Sequence, residues 1–368
     1  MKRSALVLLA VLAALCLPHP SSAAEVCTQG WTIGPSLTVE RMRPSGVVLN
    51  DLLYIFGGVN AAYTNAGEVY DPWTGSWTSL APTPDEYATM CAVAVDDKIH
   101  LLGGFDGYDE TDYHFVYDPA MNTWDATLAA LPAPRSGPAC GSVDGKIFVA
   151  GGADASGEAT NSLFIYDVAG DSWTTGATLP ATALYANGAM VGDNFYVFGG
   201  WSSSATYLYD TAAQTWSTED AMPSSRLWGA SAGFKDRANG LDHILFAGGG
   251  NGWTATTSLY EFVGDVWNDR SAYAMPIAQG NSAGGGIYGS LLMCAGGYDS
   301  VPLATFQIFN NCMAYLRDDL PELLMPGDDL DLTGLNFDDN TTFWLEDAAK
   351  AVYPLTGIVI DSDRKSVV

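Results

Sequence analysis

The sequence predicts an all-β fold built from six repeated units, and three observations carry that prediction. Gly-Gly pairs recur at Gly57-Gly58, Gly103-Gly104, Gly151-Gly152, Gly199-Gly200, Gly248-Gly249 and Gly296-Gly297, at intervals of 46, 48, 48, 49 and 48 residues. Each of the first five pairs is followed by a Tyr and, seven residues later, a Trp: Tyr70 and Trp77, Tyr117 and Trp124, Tyr166 and Trp173, Tyr209 and Trp216, Tyr260 and Trp267. Between these landmarks short apolar runs alternate with Asp- and Gly-containing turns, the pattern of strands rather than helices.

The second repeat shows the elements in order. Ala92-Val93-Ala94-Val95 reads as a first strand, Asp96-Asp97 as a turn, and Ile99-His100-Leu101-Leu102 as a second strand running into the glycines. Residues without a Cβ suit that place because they allow close backbone approach and positive φ. A loop follows, then Phe115-Val116-Tyr117, a turn at Asp118-Pro119, and an outer strand at Trp124. The Tyr and Trp are expected to pack between neighbouring units as core. A period near 50 with this signature resembles the kelch repeat, and the resemblance implies a six-bladed β-propeller with one four-stranded blade per repeat.

Propellers avoid an exposed sheet edge by sharing one blade between the two chain ends. Trp31 precedes Gly57 by the 26 residues that separate Trp77 from Gly103, so it is a fourth-strand Trp with no blade before it. It belongs to the sixth blade, which has Phe309 in the Tyr slot and Leu316 where its Trp is due. Aligning both ends with the blade 1 turn Tyr70–Trp77 places Cys27 and Cys312 at the position of Trp73, which predicts a disulfide across the seam. Closing so long a loop is worth roughly 4–5 kcal/mol in the chain-entropy model. Cys91, Cys140 and Cys294 are expected as small buried residues, and Cys16 lies in the leader.

Residues 1–24 have the form of a secretory signal: Lys2-Arg3, an apolar run from Ala5 to Leu17, Pro18 and Pro20, then small residues before Glu25. The run is too short to span a bilayer. Export into an oxidising compartment is therefore expected, as a secreted, periplasmic or cell-surface protein. The whole chain carries 15 Lys and Arg against 42 Asp and Glu, a net charge of −27, which argues against nucleic acid and anionic membranes as partners. The propeller is assigned to 25–316. The segment 317–368 resembles the opening of an IPT/TIG immunoglobulin-like module through Pro326-Gly327, the alternating Asp329-Leu330-Asp331-Leu332 and Thr333-Gly334-Leu335-Asn336-Phe337, and so implies a partial Ig-like β-sandwich.

One phase of the repeat falls three residues after a Pro in most blades and reads Arg41, Tyr87, Arg135, Ala183, Arg226, Gln279 around the ring. Arginine in alternate blades suits bidentate capture of an anionic group. Loops on the same face carry Tyr63, Phe105, Tyr108, Trp201, Tyr207, Trp253 and Tyr298. In kelch proteins an Arg-bearing face is a common docking surface, so the resemblance implies a protein or carbohydrate ligand there and a binding or adhesion role, with no cofactor. Ion pairing of these arginines with loop carboxylates such as Asp109 or Glu158 is the competing reading. A sialic-acid-type mutarotase on the same face is the alternative function. A propeller followed by an Ig-like domain also resembles the galactose oxidase architecture, but the His residues that follow the leader, His100, His114 and His243, are too scattered for its copper ligands. His100 is expected in the core, and His114 and His243 without ligand-spaced companions.

Overall fold

The computed structural model describes residues 29–236, 240–251, 254–287, 291–311 and 315–316, with short strands between 330 and 367. The predicted signal (1–24), Cys27, Cys312 and Trp253 lie outside the described residues. The first two strands of blades 1 to 3 are joined at Asn50-Asp51, Asp96-Asp97 and Asp144-Gly145, all with φ between 48° and 67°. Positive φ at both central residues makes the tight hairpin whose twist matches its strands. The third and fourth strands join through an Asp whose carboxylate accepts backbone N–H groups, as Asp71 does from Trp73 (2.8 Å) and Asp167 from Gly170 (2.8 Å).

Blade 1 is Ser45–Leu49, Leu52–Phe56, Gly67–Asp71 and Ser76–Ser79; blade 2 is Cys91–Val95, Lys98–Leu102, His114–Asp118 and Thr123–Asp125. Blade 3 comprises Ala139–Val143, Lys146–Ala150, Leu163–Asp167 and Ser172–Thr175, and blade 4 Asn187–Val191, Asn194–Phe198, Thr206–Asp210 and Thr215–Glu219. Blade 5 comprises Ala230–Lys235, Asp242–Ala247, Leu259–Val263 and Val266–Asp269. In blade 6, Ala283–Ile287, Leu291–Ala295 and Phe306–Asn310 are completed by Gly30–Ile33, with Trp31 opposite Phe309. Every ladder is antiparallel, and the first strands neighbour one another around the axis, the sixth beside the first.

The core lies between blades. Tyr117 and Trp124 face each other at 4.9 Å, as do Tyr166 and Trp173, while Trp31 meets Phe309 at 5.2 Å. Such ring pairs add about 0.5–1.5 kcal/mol beyond the area they bury. The indole N–H reaches a carbonyl of the preceding connector, as in Trp77 to Pro35 O (2.8 Å) and Trp173 to Ala129 O (3.0 Å). Blade 5 departs from the expected pattern: Trp267 lies opposite Phe262, and Tyr260 sits two residues earlier in the strand. A shorter turn there brings the Trp five residues after its partner instead of seven.

Cys91 and Cys140, expected as small buried residues, form a disulfide that joins the first strands of blades 2 and 3. Cys294 is a buried free thiol, and burial pushes its pKa up to about 12. The chain divides into two units, 28–318 with 334–336, and the remainder. In the tail, Leu330–Leu332, Arg364–Val367 and Ile358–Asp361 form one antiparallel sheet, and Trp344–Glu346 pairs with Val352–Pro354. Among the described residues no helix is long and apolar enough to cross a membrane.

Candidate functional site

The repeat phase that the sequence singles out has a structural job in the blades it enters. Its carbonyl meets the Gly-Gly pair of the preceding blade: the N–H groups of Gly58, Gly104, Gly152, Gly200 and Gly297 donate to Tyr87, Arg135, Ala183, Arg226 and Arg41 at 2.7–2.8 Å. The last of these closes the ring from blade 6 to blade 1. A Cβ on Gly103 would lie 2.2 Å from the Arg135 oxygen, so no side chain fits at that contact.

The side chains of this phase turn into their own blades and meet the residues around the start of the third strand. Arg41 forms a buried ion pair with Glu68 and donates to Gly57 O (3.3 Å) and Ala66 O (2.9 Å). Gln279 makes the same two backbone contacts, to Gly296 O (2.6 Å) and Thr305 O (3.0 Å), and its amide oxygen accepts from Gln307. Arg135 lies 4.8 Å over Phe164 and reaches the Ser162 hydroxyl (2.7 Å); Arg226 reaches Ser258 (3.2 Å) and the Tyr260 hydroxyl (3.1 Å). Tyr87 packs on Phe115 at 6.1 Å.

Arg41, Gln279 and Tyr87 are 0% exposed, so these members of the expected binding ring serve as internal braces in the structure. Arg226 alone of the three arginines remains half-buried. Burial lowers the pKa of Arg41, and Glu68 opposes that shift.

A second ring of residues, which we take as the mouth of the propeller, lies two positions further along, just before the first strands. Arg43, Thr89, Gly137, Tyr185, Trp228 and Asn281 all have left-handed backbone, with φ between 48° and 59°. Backbone bonds pass from blade to blade through them: Arg43 N to Asn281 O (2.7 Å), Thr89 N to Arg43 O (3.2 Å) and Gly137 N to Thr89 O (2.8 Å). Left-handed φ is uncommon for bulky residues and marks places where surrounding structure overrides local preference.

Three of the six residues bring their side chains into one cluster. The rings of Tyr185 and Trp228 stand 4.1 Å apart, and the Arg43 guanidinium lies 5.0 Å over Trp228. All three are half-buried. Gly137 makes room for them, since a Cβ there would meet the Tyr185 ring at 2.3 Å. Burial lowers the pKa of the Arg43 guanidinium, with the Tyr185 and Tyr63 hydroxyls opposing. Burial raises that of Tyr63, which Arg43 offsets and Asp106 reinforces. The Trp228 indole N–H is buried with no acceptor among the described residues.

Of the predicted loop aromatics, Phe105 packs on Tyr63 at 5.9 Å, Trp201 is 44% exposed, and Tyr298 is half-buried beside Gly280 in a backbone bridge. Sequence reasoning missed Arg43, Tyr185 and Trp228. The available signal was Gly137 and Asn281, two residue types suited to positive φ at one repeat phase.

A family profile described as the KLHDC2/KLHL20/DRC7 Kelch-repeats domain matches residues 31–179 and 89–272. "Kelch-like protein terF" of Aspergillus terreus is 31% identical over 197 residues, covering 46% of this chain and 42% of that protein. "Kelch-like protein 35" of Mus musculus is 32% identical over 117 residues, covering 31% of this chain and 19% of that protein. The chain thus spans less than half the length of these relatives. A solved structure described as "Structure of YjhT" superposes with a TM-score of 0.61 at 15% identity, over 78% of this chain and 97% of that one.

Proposed function

Since the chain belongs to the kelch-repeat family, we propose that it is an exported binding module that recognises a protein partner with the loop face of its propeller. The carrying observation is the Arg43, Tyr185 and Trp228 cluster, held half-buried at the channel mouth in strained backbone. Trp, Tyr and Arg are the residue types that dominate binding energy at protein interfaces. The ring of Trp228 is already packed against Tyr185 and Arg43, which favours a partner's side chains over the face of a sugar. Carbohydrate is the second ligand class.

Export is supported by the signal-like residues 1–24 and by the Cys91–Cys140 disulfide, which suits an oxidising compartment. The tail is read as an IPT/TIG-like module from its sequence pattern.

Selection from a random peptide display library tests the reading. Peptides enriched by the native propeller and bound at least tenfold more weakly by Trp228→Ala support it. Enriched peptides that bind Trp228→Ala equally well overturn it. Accelerated anomeric exchange of free sialic acid, followed by NMR, would replace it with catalysis.

A further inference from the structure

His100 and His114 stand on the second and third strands of blade 2, where the repeat pattern alone gives no reason for them to meet. Their imidazoles are buried and joined by a 2.9 Å bond from His100 Nδ1 to His114 Nε2. The other His114 nitrogen, Nδ1, lies 2.9 Å from Ala129 O. A carbonyl only accepts, so His114 Nδ1 carries a hydrogen; in the neutral ring its Nε2 is then the acceptor and His100 Nδ1 the donor. With both rings neutral, each of the two hydrogen bonds has one donor and one acceptor.

Ala129 belongs to the connector between blades 2 and 3. Its carbonyl also accepts from Trp173 Nε1 (3.0 Å) and its N–H donates to Asp171 (2.8 Å). Further along, the same connector carries the brace Arg135 and the mouth residue Gly137. One residue thus pins the segment that links two blades, and a His pair supplies one of its three bonds.

We propose that the His100–His114 pair is an acid-operated latch on the blade 2 to blade 3 connector. A proton added to either ring buries a cation in an apolar seam, and one added at His114 Nε2 also sets two N–H groups against each other while His100 keeps its hydrogen on Nδ1. The groups facing the pair are few. Lys98, on the His100 strand, opposes a second cation, while Asp125 on the fourth strand of blade 2 and Asp171 in the blade 3 turn favour one on His114. Asp171 is committed to the Tyr166 hydroxyl (2.6 Å) and to Ala129 N–H, and Tyr166 presents its ring edge to His114 at 4.8 Å.

Burial, with His114 and Lys98 adding to it, pushes the pKa of His100 down to about 4. Burial also lowers that of His114. A folded value below the unfolded one means that the pair's stabilisation is complete above pH ~6.5 and is lost as pH falls from there toward 4. The Cys91–Cys140 bond keeps the inner strands of the same two blades joined, so release is confined to the connector.

The latch stands independently of any ligand; its effect on binding rests on the mouth reading above. Hydrogen exchange at pH 7.5 and 5.0, corrected for intrinsic rates, measures it on peptides covering 126–135. Protection falling at least tenfold in the native protein, but unchanged in His100→Phe with His114→Leu, is the expected result. That double variant copies Phe148 and Leu163, the equivalent residues of blade 3. Equal loss in both proteins, or none in the native one, overturns the latch.

Imidazole NMR of the native protein gives a second measurement free of any folding defect in the variant. Either of the two rings titrating near pH 6.5 overturns it, and both staying neutral at pH 6 supports it. Selected peptides that bind at neutral pH and show no acid response refute the coupling of latch to mouth. Failure to select any peptide at neutral pH refutes the mouth alone.

Discussion

Blades 1 and 6 build the same brace from different chemistry, which makes a swap between them a sharp test. Arg41 and Glu68 in blade 1 occupy the places of Gln279 and Gln307 in blade 6, and both Arg41 and Gln279 donate to the carbonyls that flank the second-to-third-strand loop. Arg41→Gln alone preserves those donations but leaves Glu68, 1% exposed, as a buried carboxylate without its cation. Removing one partner of a buried pair costs about 3–5 kcal/mol. Adding Glu68→Gln removes the stranded charge and keeps an oxygen for the Thr38 N–H (2.8 Å). It also supplies an amide donor to the side chain introduced at position 41, as Gln307 does to Gln279.

The double variant is therefore expected within about 1 kcal/mol of the native protein, giving a coupling of at least ~2 kcal/mol. Urea unfolding of the four proteins in the cycle reads this directly. A melting temperature about 10 °C lower for Arg41→Gln, largely restored in the double variant, is the calorimetric counterpart. Additive losses would show that the two blades only look alike, and that the brace is not a transferable unit.

The same geometry sets two further outcomes. Gly75 and Gly103 have similar positive φ (66° and 69°), but a Cβ on Gly75 meets nothing within 4 Å whereas one on Gly103 strikes the Arg135 carbonyl. Gly75→Ala should cost only the left-handed penalty of ~1–2 kcal/mol, and Gly103→Ala clearly more, as measured by chemical denaturation. The Cys91–Cys140 bond has a sequence separation of 49 residues. Replacing both with Ser should cost about 4 kcal/mol in the chain-entropy model, and a native stability unchanged by reductant would disprove the bond.

The period makes the ring legible because it follows the backbone: six glycine pairs, a Trp31 without a blade, and Phe309 waiting opposite it. Side-chain direction is not legible in the same way. A regular phase suggests that Arg41, Arg135 and Arg226 face the channel, yet regularity is what a brace repeated around the ring also requires. Cys91 and Cys140 hold the first and second places of their strands, so their meeting depends on the stagger between adjoining blades, which no single repeat reveals. Counting back from Trp267 points to Tyr260 as its partner, and a shorter turn gives that role to Phe262. His114 looks isolated in the sequence because its companion lies across a hairpin rather than at ligand spacing.

The two phases differ in how their residues relate to the scaffold. At the brace, Arg with Glu, Tyr with Phe, Arg with Tyr and Gln with Gln are different solutions to one packing problem, each matched inside its own blade. Two residues on, the backbone problem is again common to all blades, since each chain enters the inner ring with positive φ. Asn281 and Gly137 solve it at low cost. Arg43, Tyr185 and Trp228 carry a left-handed penalty of roughly 1–2 kcal/mol each. Stacking among the three returns only part of that, at about 0.5–1.5 kcal/mol per contact. Bulk at those positions weakens the scaffold relative to Gly or Asn, which is the cost that the proposed recognition role would offset.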